Sequence, residues 1–234
     1  FLEQKPYPSM RIGYLVLGAF YRVLGDLQAA IDVVNEALGN PYRVLAVTDA
    51  VTEVFFRGSG STEFLDLYSF AQVDPGPPAE LRLQPPAQLL PTVREAVESA
   101  SHIILGPGDL HFSILPHFLV QGFREALEKS KAKLLVVANL TYRSIDTPGF
   151  TLRKYLDVYD GYLPTGRPVT VLMNQGGGEV ESALSDDVSG SEYGRFSIIR
   201  SLLASSKINN NNQLVHDTIK LGTELKANVA SGLG

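Results

Sequence analysis

Residues 104–112 read Ile-Leu-Gly-Pro-Gly-Asp-Leu-His-Phe, and this stretch joins a predicted strand to a predicted helix. Gly106 and Gly108 permit a positive φ or a close approach of the backbone. Backbone N–H groups at the start of the helix would then form an anion site, which the helix dipole favours. The alternative is a plain turn in which the glycines close the corner and Asp109 caps the helix. The local sequence leaves both interpretations open.

Strands and helices alternate from this junction onward, which predicts consecutive βα units. Such units give parallel strands with right-handed crossovers, so we predict a three-layer, Rossmann-like α/β fold with a mostly parallel sheet. Ligands of these sheets bind at the carboxyl ends of the strands, so the loops 106–111 and 139–151 are expected to face one crevice. The predicted elements are strand Ile103–Leu105, helix Ser113–Lys129, strand Lys133–Ala138, helix Thr151–Tyr159 and strand Val169–Met173.

The first hundred residues have a different pattern. Apolar residues at helical spacing predict a helical hairpin over Ile12–Leu38, with Asp26 as the N-cap of its second helix. Short β-type runs then predict a small antiparallel excursion around residues 44–83, followed by a helix at Pro91–Ser99. The runs are 42–48, 51–56, 64–68 and 81–83.

The last sixty residues give weaker signals. Gly176–Gly178 and Asn209–Asn212 predict loops, and Thr218–Lys226 predicts a closing helix. We expect residues 1–234 to form a single α/β domain. The chain opens with Phe1 rather than Met, so we also expect the natural start to lie upstream.

Composition excludes several classes of function. The 234 residues carry a net charge of −5, which argues against a nucleic-acid groove or an anionic membrane surface as partner. The absence of cysteine excludes disulfides, thiolate catalysis and Cys-ligated metal, and it is compatible with a cytoplasmic location. Four scattered histidines give no metal-ligand spacing, so no metal site is predicted. No apolar run approaches the ~20 residues of a bilayer span.

A long run after the glycine loop resembles a known family. Gly106 to Val120 reads Gly-Pro-Gly-Asp-Leu-His-Phe-Ser-Ile-Leu-Pro-His-Phe-Leu-Val. It is similar to the Gly-Pro-Gly-Ser-Leu-Tyr-Thr-Ser-Ile-Leu-Pro-Asn-Leu-Leu-Val run of the family that joins bacterial gluconeogenesis factors to the 2-phospho-L-lactate transferases of deazaflavin cofactor synthesis. Gly13 to Ala19 and Arg43 to Thr48 also resemble the family's segments, and the resemblance covers roughly residues 1 to 175.

The departures from the family fall at its polar site. Its first βα unit, with a Gly-Gly-Gly-Thr-Gly loop, has no counterpart in these residues. A His-Ser-Leu-Gly-Asn run of relatives stands here as Met10 to Tyr14, and a Met-Thr-Gln-Pro-Gly-Glu-Thr loop stands as Thr141 to Thr147. Of that loop only an acid, Asp146, and a threonine, Thr147, are kept. The resemblance therefore implies either a reworked ligand site or a scaffold that has lost its chemistry.

Each candidate residue has a functional and a structural interpretation. Asp109 is expected to cap the helix rather than to ligate a metal, and His111 to stack on a base or sugar or to be an ordinary histidine of the edge. Arg143 with Asp146 could clamp a diphosphate or form an exposed ion pair, and Asn139 is expected to hold its loop. The predicted ligand-binding set is Gly106, Pro107, Gly108, Asp109, His111, Ser113, Asn139, Arg143, Asp146 and Thr147. No catalytic residue is assigned, because Ser113 lacks a nucleophile elbow.

The resemblance implies three functions. The first is a binding protein of the gluconeogenesis-factor type, acting in the regulation of carbon metabolism and cell shape, with a nucleotide sugar or nucleotide diphosphate as ligand. The second is a phospholactyl-type transferase that needs Mg²⁺. The third is a scaffold that works through protein contacts, as a homo-oligomer or with other proteins.

Overall fold

The computed structural model describes residues 12–73, 76–142, 145–176, 183–208 and 214–230. In these residues the central sheet has five strands, β4 (His102–Leu105), β5 (Lys133–Val137), β6 (Val169–Asn174), β7 (Glu192–Tyr193) and β8 (Phe196–Ser201). Their order in the sheet is β4-β5-β6-β8-β7. The first four in that order are parallel, and β7 is antiparallel to β8. The predicted α/β fold with a mostly parallel sheet is confirmed.

Helices cover both faces of this sheet. One face packs on α4 (Pro91–Ser99), α5 (Pro116–Leu119), α6 (Phe123–Lys129) and α7 (Leu152–Tyr162). The other face packs on α8 (Thr218–Ala230) through Leu221 and Leu225. Alternate residues of β5 serve the two faces, since Leu134 and Val136 join the first core and Leu135 and Val137 the second.

The helical hairpin forms as predicted. It consists of α1 (Ile12–Leu24) and α2 (Leu27–Ala37). The carboxylate of Asp26 accepts a hydrogen bond from the Ala29 N–H at 2.8 Å, which satisfies one of the free donors at the start of α2.

The predicted antiparallel excursion is confirmed as a three-stranded sheet in the order β2-β1-β3. Its strands are β1 (Glu53–Gly58), β2 (Leu65–Asp66) and β3 (Pro78–Gln84). The strand predicted at 64–68 ends early, because Asp66 caps a short helix, α3 (Leu67–Gln72), by accepting from the Ser69 N–H at 2.7 Å.

The strand predicted at 42–48 is wrong. The backbone of this segment bonds to side chains of α2 instead of to another strand. Gln28 accepts from the Ala46 N–H at 2.8 Å and donates to the Val44 carbonyl at 2.9 Å, and Asn35 donates to the Tyr42 carbonyl at 2.7 Å. These side chains hold the segment extended without a ladder.

The continuous helix predicted at Ser113–Lys129 is also wrong. The segment begins with a π-helical turn, Leu110–Ile114, continues as α5 and α6, and is interrupted between them. Gly122 takes φ +94° at the interruption, where the Gln121 N–H donates to the Ala87 carbonyl at 2.9 Å. Pairing with residues 87–89 therefore replaces helical hydrogen bonds at this point.

The sequence predicted none of the four strands that follow β6 in the part of the chain that the structure describes. They are β7 and β8 of the central sheet, and β9 (Ala204–Ile208) and β10 (Leu214–His216), which pair antiparallel with each other. The predicted closing helix is confirmed as α8. Gly177, Gly178 and Asn209–Asn212, where loops were predicted, lie outside the described residues. Among the helices that are described, none combines the length and apolar character needed to cross a membrane.

Candidate functional site

The glycine loop lies where β4 ends, at the carboxyl edge of the parallel strands. The Gly106-Pro107 peptide is cis, and Gly106 has φ +86°. A Cβ atom built on Gly106 would lie 2.9 Å from the carbonyl oxygen of Val137, the last residue of β5. The loop therefore turns directly against the backbone of the neighbouring strand, and only glycine fits both the conformation and the space.

Asn139 holds this loop from the end of β5. Its side-chain NH₂ donates to the Gly108 carbonyl at 2.9 Å, and its side-chain oxygen accepts from the Gly108 N–H at 3.3 Å. The amide thus bonds both main-chain polar groups of one glycine. This is the loop-holding role that the sequence predicted for Asn139.

The Asp146 side chain caps the free N–H groups at the start of the π-helical turn. It is fully buried, and its two carboxylate oxygens accept from the N–H groups of Leu110 and His111, both at 2.8 Å. The same carboxylate lies 3.0 Å from the His111 ring nitrogen Nδ1. The anion expected at this helix start is therefore supplied by the chain itself, and the hypothesis that these two N–H groups bind a phosphate is corrected.

The structure decides between the two interpretations of His111 and corrects the side-chain cap expected of Asp109. The His111 residue is 2 % exposed and its ring packs edge-on against Phe150, with centroids 6.0 Å apart, so it does not form a stacking surface for a base or sugar. Asp109 begins the turn through its main-chain carbonyl, which accepts from the Ser113 N–H at 2.8 Å. Its side chain makes no capping bond, because Asp146 takes that position.

Two buried tyrosines of α7 complete the interior of this region and were missed as site neighbours. Tyr155 and Tyr159 pack edge-to-face at 5.3 Å. Burial raises the pKa of both hydroxyls, and the nearby negative charge of Asp146 raises them further. Both hydroxyls therefore stay protonated at neutral pH. The sequence feature that could have identified them is the spacing of apolar residues along α7, which puts both tyrosines on the buried face of this helix.

The other residues of the predicted ligand-binding set differ in their exposure to solvent. Pro107 and Ser113 are exposed, Gly108 is half-buried, and Thr147 is buried at 2 % exposure. Arg143 lies outside the described residues. The structure thus brings Gly108 into contact with Asn139, and Leu110 and His111 into contact with Asp146, so the two loops named from the sequence meet.

Positive charge is scarce at this edge. No lysine or arginine occurs at 106–113 or in the described parts of 139–150, so Arg143 is the cation that this loop pair offers. Arg153, the next arginine along the chain, is engaged elsewhere: its Nε lies 3.7 Å from the Asp187 carboxylate, and its guanidinium stacks 4.8 Å from the centre of the Tyr193 ring. In the described part of the chain, no group of three or more His, Asp or Glu side chains is arranged to hold a metal ion.

The same edge continues past β6, where the sequence predicted nothing. The Asn174 side-chain oxygen accepts from the N–H groups of Leu203 and Ala204 at 2.8 and 2.9 Å. A cavity of about 500 Å³ lies beside it, between the ends of β6 and β8 and the start of α8. Its polar lining includes Arg200, which bonds the Asp186 carboxylate at 2.6 Å.

His216 gives the fold a dependence on pH. Burial lowers the pKa of its ring below the ordinary 6.5. The unfolded chain then binds more protons than the folded chain as the pH falls below 6.5, so the free energy of unfolding should decrease there. We expect His216→Gln to lose less stability than the wild type between about pH 7.5 and about pH 5.5 in urea unfolding. Equal losses in the two proteins would contradict this account.

The chain is similar to proteins of one known family. The family model described as 2-phospho-L-lactate transferase CofD matches residues 4–195. A Thermotoga maritima protein named "Putative gluconeogenesis factor" is 32 % identical over 152 residues, which are 65 % of this chain and 48 % of the relative. A protein of the same name from Mycobacterium tuberculosis H37Rv is 30 % identical over 162 residues, with 65 % and 47 % covered. The chain spans about half the length of these curated relatives.

Solved structures show the same fold. Two crystal structures of a Bacillus halodurans protein, described in one of them as a member of the UPF0052 family, superpose with TM-scores of 0.79 and 0.76. The sequence identities are 19 % and 20 %, and each match covers 92 % of this chain and 72 % or 71 % of the other. At this identity the likeness concerns the arrangement of helices and strands.

Proposed function

Because the chain belongs to the 2-phospho-L-lactate transferase CofD family, we propose that it binds a phosphate-containing small molecule, a nucleotide sugar or a related nucleotide diphosphate, in the crevice between the loops 106–113 and 139–147. We propose further that it acts by binding, as a protein of the gluconeogenesis-factor type. The gluconeogenesis-factor name of its relatives supports this choice.

One observation supports the proposal. Side chains of the second loop hold the glycine loop in place, while residues on the other side of the glycine loop are exposed to solvent. Asn139 bonds both polar groups of Gly108, and Asp146 bonds the two N–H groups that follow. Pro107 and Ser113 remain exposed on the outer side. A loop fixed in this way can receive a ligand without first losing conformational freedom, which reduces the free-energy cost of binding.

The position of Asp146 changes where the phosphates would lie. Since its carboxylate already occupies the helix start, a diphosphate would lie outside the Leu110 and His111 N–H groups, against Gly108 and the Ser113 hydroxyl. Asp109 follows Gly108 in the chain and is half-buried, so a phosphate at that position would need a cation to offset the repulsion of its carboxylate. We assign that role to Arg143.

We therefore expect Arg143→Ala to weaken binding of UDP-N-acetylglucosamine by about 1–3 kcal/mol, the value of a charge-assisted contact to phosphate. Isothermal titration calorimetry at constant salt measures this difference. Arg153→Ala is the matched control, because Arg153 is committed to Asp187 and Tyr193 and its loss should leave affinity unchanged. Equal affinities of Arg143→Ala and wild type would remove Arg143 from the site.

The function itself is tested by titrating the natural protein with UDP-N-acetylglucosamine, UDP-glucose, GDP and a deazaflavin acceptor, with and without Mg²⁺. Saturable binding of a UDP-sugar without turnover supports the binding protein. Turnover that requires Mg²⁺ with the guanine nucleotide and the deazaflavin would establish the transferase instead. No binding across the panel would contradict both and favour a scaffold.

A further inference from the structure

A short segment runs along the carboxyl edge of the sheet and bonds both ends of the second of the two loops that form the proposed site. We call this segment, residues 183–188, the strap. At the first end of the loop, the Leu184 N–H donates to the Leu140 carbonyl at 2.9 Å. At the second end, the Leu152 N–H donates to the Ser185 carbonyl at 2.7 Å. The loop between these two bonds is therefore tied to the strap on both sides.

The strap also caps α7, the helix that follows this loop. The Asp187 carboxylate accepts from the main-chain N–H of Arg153 at 3.0 Å, and this N–H is one of the donors that a helix leaves free in its first turn. Because this bond and the two loop bonds come from main-chain groups of the loop and the helix, they do not depend on the Arg153 side chain.

One side chain outside the strap, Arg200 of β8, holds it in place. Its Nε and Nη2 donate to the two carboxylate oxygens of Asp186, at 2.6 and 3.1 Å. Its guanidinium also donates to the carbonyl of Val188, at 2.8 Å, and to that of Gly190. A bidentate contact of this kind fixes geometry, because the guanidinium presents its donors in one rigid plane. Hydrogen bonding to Arg200 lowers the pKa of Asp186, so the pair stays charged at neutral pH.

Burial alone does not determine where the strap lies. Leu184 and Val188 are 6 % and 7 % exposed and belong to the core on the first face of the sheet. Burial of apolar side chains stabilises the strap, but the hydrophobic effect is non-directional. The bonds from Arg200 are directional, and they set the position of the strap relative to β8.

We propose that Arg200 is a positioning residue of the ligand site, which holds the loop 139–147 in place through the strap and does not contact the ligand. Arg200 lies on β8, two strands away from β5 in the sheet, so roughly 10 Å separates it from the strand that leads into the loop. This inference rests on the proposed function. A loop fixed at its base loses less conformational freedom when a ligand binds, so the loss of Arg200 weakens binding.

Hydrogen exchange of the ligand-free protein tests the link between Arg200 and the loop. In Arg200→Gln, the amides of peptides 139–153 and 183–190 should exchange at least about threefold faster than in the wild type, because local opening becomes easier. Arg195→Gln is the matched control. Arg195 directly precedes β8 at the opposite edge of the sheet, and it also donates to a carboxylate, that of Asp160 at 2.6 Å, and to main-chain carbonyls. The control should leave exchange in both peptides unchanged.

Calorimetry with UDP-N-acetylglucosamine tests the consequence for the site. Arg200→Gln should weaken binding by about threefold to thirtyfold. Asp186→Asn breaks the same contact from the side of the strap, so it should reproduce this effect, and the double variant should bind no more weakly than the weaker single variant. Arg195→Gln should bind like the wild type, because its bonds hold the turn after α7 and not the strap. Urea unfolding checks that each variant is folded.

Unchanged exchange in Arg200→Gln would overturn the proposal. Faster exchange with wild-type affinity would overturn it as well and would leave the proposed function intact. Weaker binding in Arg200→Gln but not in Asp186→Asn would assign Arg200 a direct contact with the ligand in place of a positioning role. If the wild type itself binds none of the ligands, the proposed function fails, and the exchange measurement, which needs no ligand, still decides whether Arg200 orders the loop.

Discussion

Asp146→Ala should lower the free energy of unfolding by about 3–5 kcal/mol, the cost of leaving several buried donors without their acceptor. Three donors depend on this one carboxylate: the N–H groups of Leu110 and His111 and the His111 ring nitrogen, all within 3.0 Å. Alanine would leave them buried without an acceptor, because Asp146 is fully buried. Urea unfolding followed by circular dichroism measures the loss.

Asp160→Ala is the control for this substitution. Asp160 also forms an ion pair, with its carboxylate 2.6 Å from Arg195, but its side chain is 59 % exposed. Its loss should therefore cost less than about 1 kcal/mol. Asp146→Asn keeps one acceptor oxygen and should fall between the two. A loss below about 1 kcal/mol for Asp146→Ala would show that Asp146 does not hold the helix start.

Gly106→Ala should lower the free energy of unfolding by about 2–4 kcal/mol, the sum of a left-handed conformation and a steric clash. The clash is with backbone, since the added Cβ would lie 2.9 Å from the Val137 carbonyl oxygen in the core of the sheet. Thermal and urea unfolding of the purified variant measure the effect. The glycine loop should also move away from β5, which would weaken any ligand bound there.

Gly149→Ala separates the two contributions. Gly149 has φ +62°, and a Cβ built on it meets nothing within 4 Å, so only the conformational cost of about 1–2 kcal/mol applies. Equal losses for Gly106→Ala and Gly149→Ala would show that the loop relaxes away from β5 without penalty, and the tight contact described above would then carry no stability.

Much of the fold could be predicted from local patterns. The helical hairpin, α4 and the three parallel strands β4, β5 and β6 follow from the spacing of apolar residues and from Asp26 as a cap. The wrong predictions of secondary structure fall where residues distant in sequence form hydrogen bonds with the backbone of the segment. Gln28 bonds residues 44 and 46 and prevents a strand, and Ala87 bonds Gln121 and interrupts the predicted helix. Such bonds join residues 16 or more positions apart, which no local pattern records.

The contact between the two loops was predicted, but the bonds that make it were not. The two loops do meet, through Gly108 with Asn139 and through Leu110 with Asp146. The sequence could not show that Asp146 faces inward, because its partners lie 35 and 36 positions earlier in the chain. The resemblance found Asp146 and Thr147 to be the only residues kept from one family loop, and both are buried. What this loop retains is therefore the part that supports the fold.

We propose above all that a nucleotide-linked phosphate binds between the loops 106–113 and 139–147. Hydrogen–deuterium exchange of the natural protein, with and without saturating UDP-N-acetylglucosamine, tests it most directly because it reports the site as well as binding. We predict protection confined to these two loops and the residues beside them. Protection centred on the cavity at residues 200–224 instead, or no change anywhere, would contradict the claim.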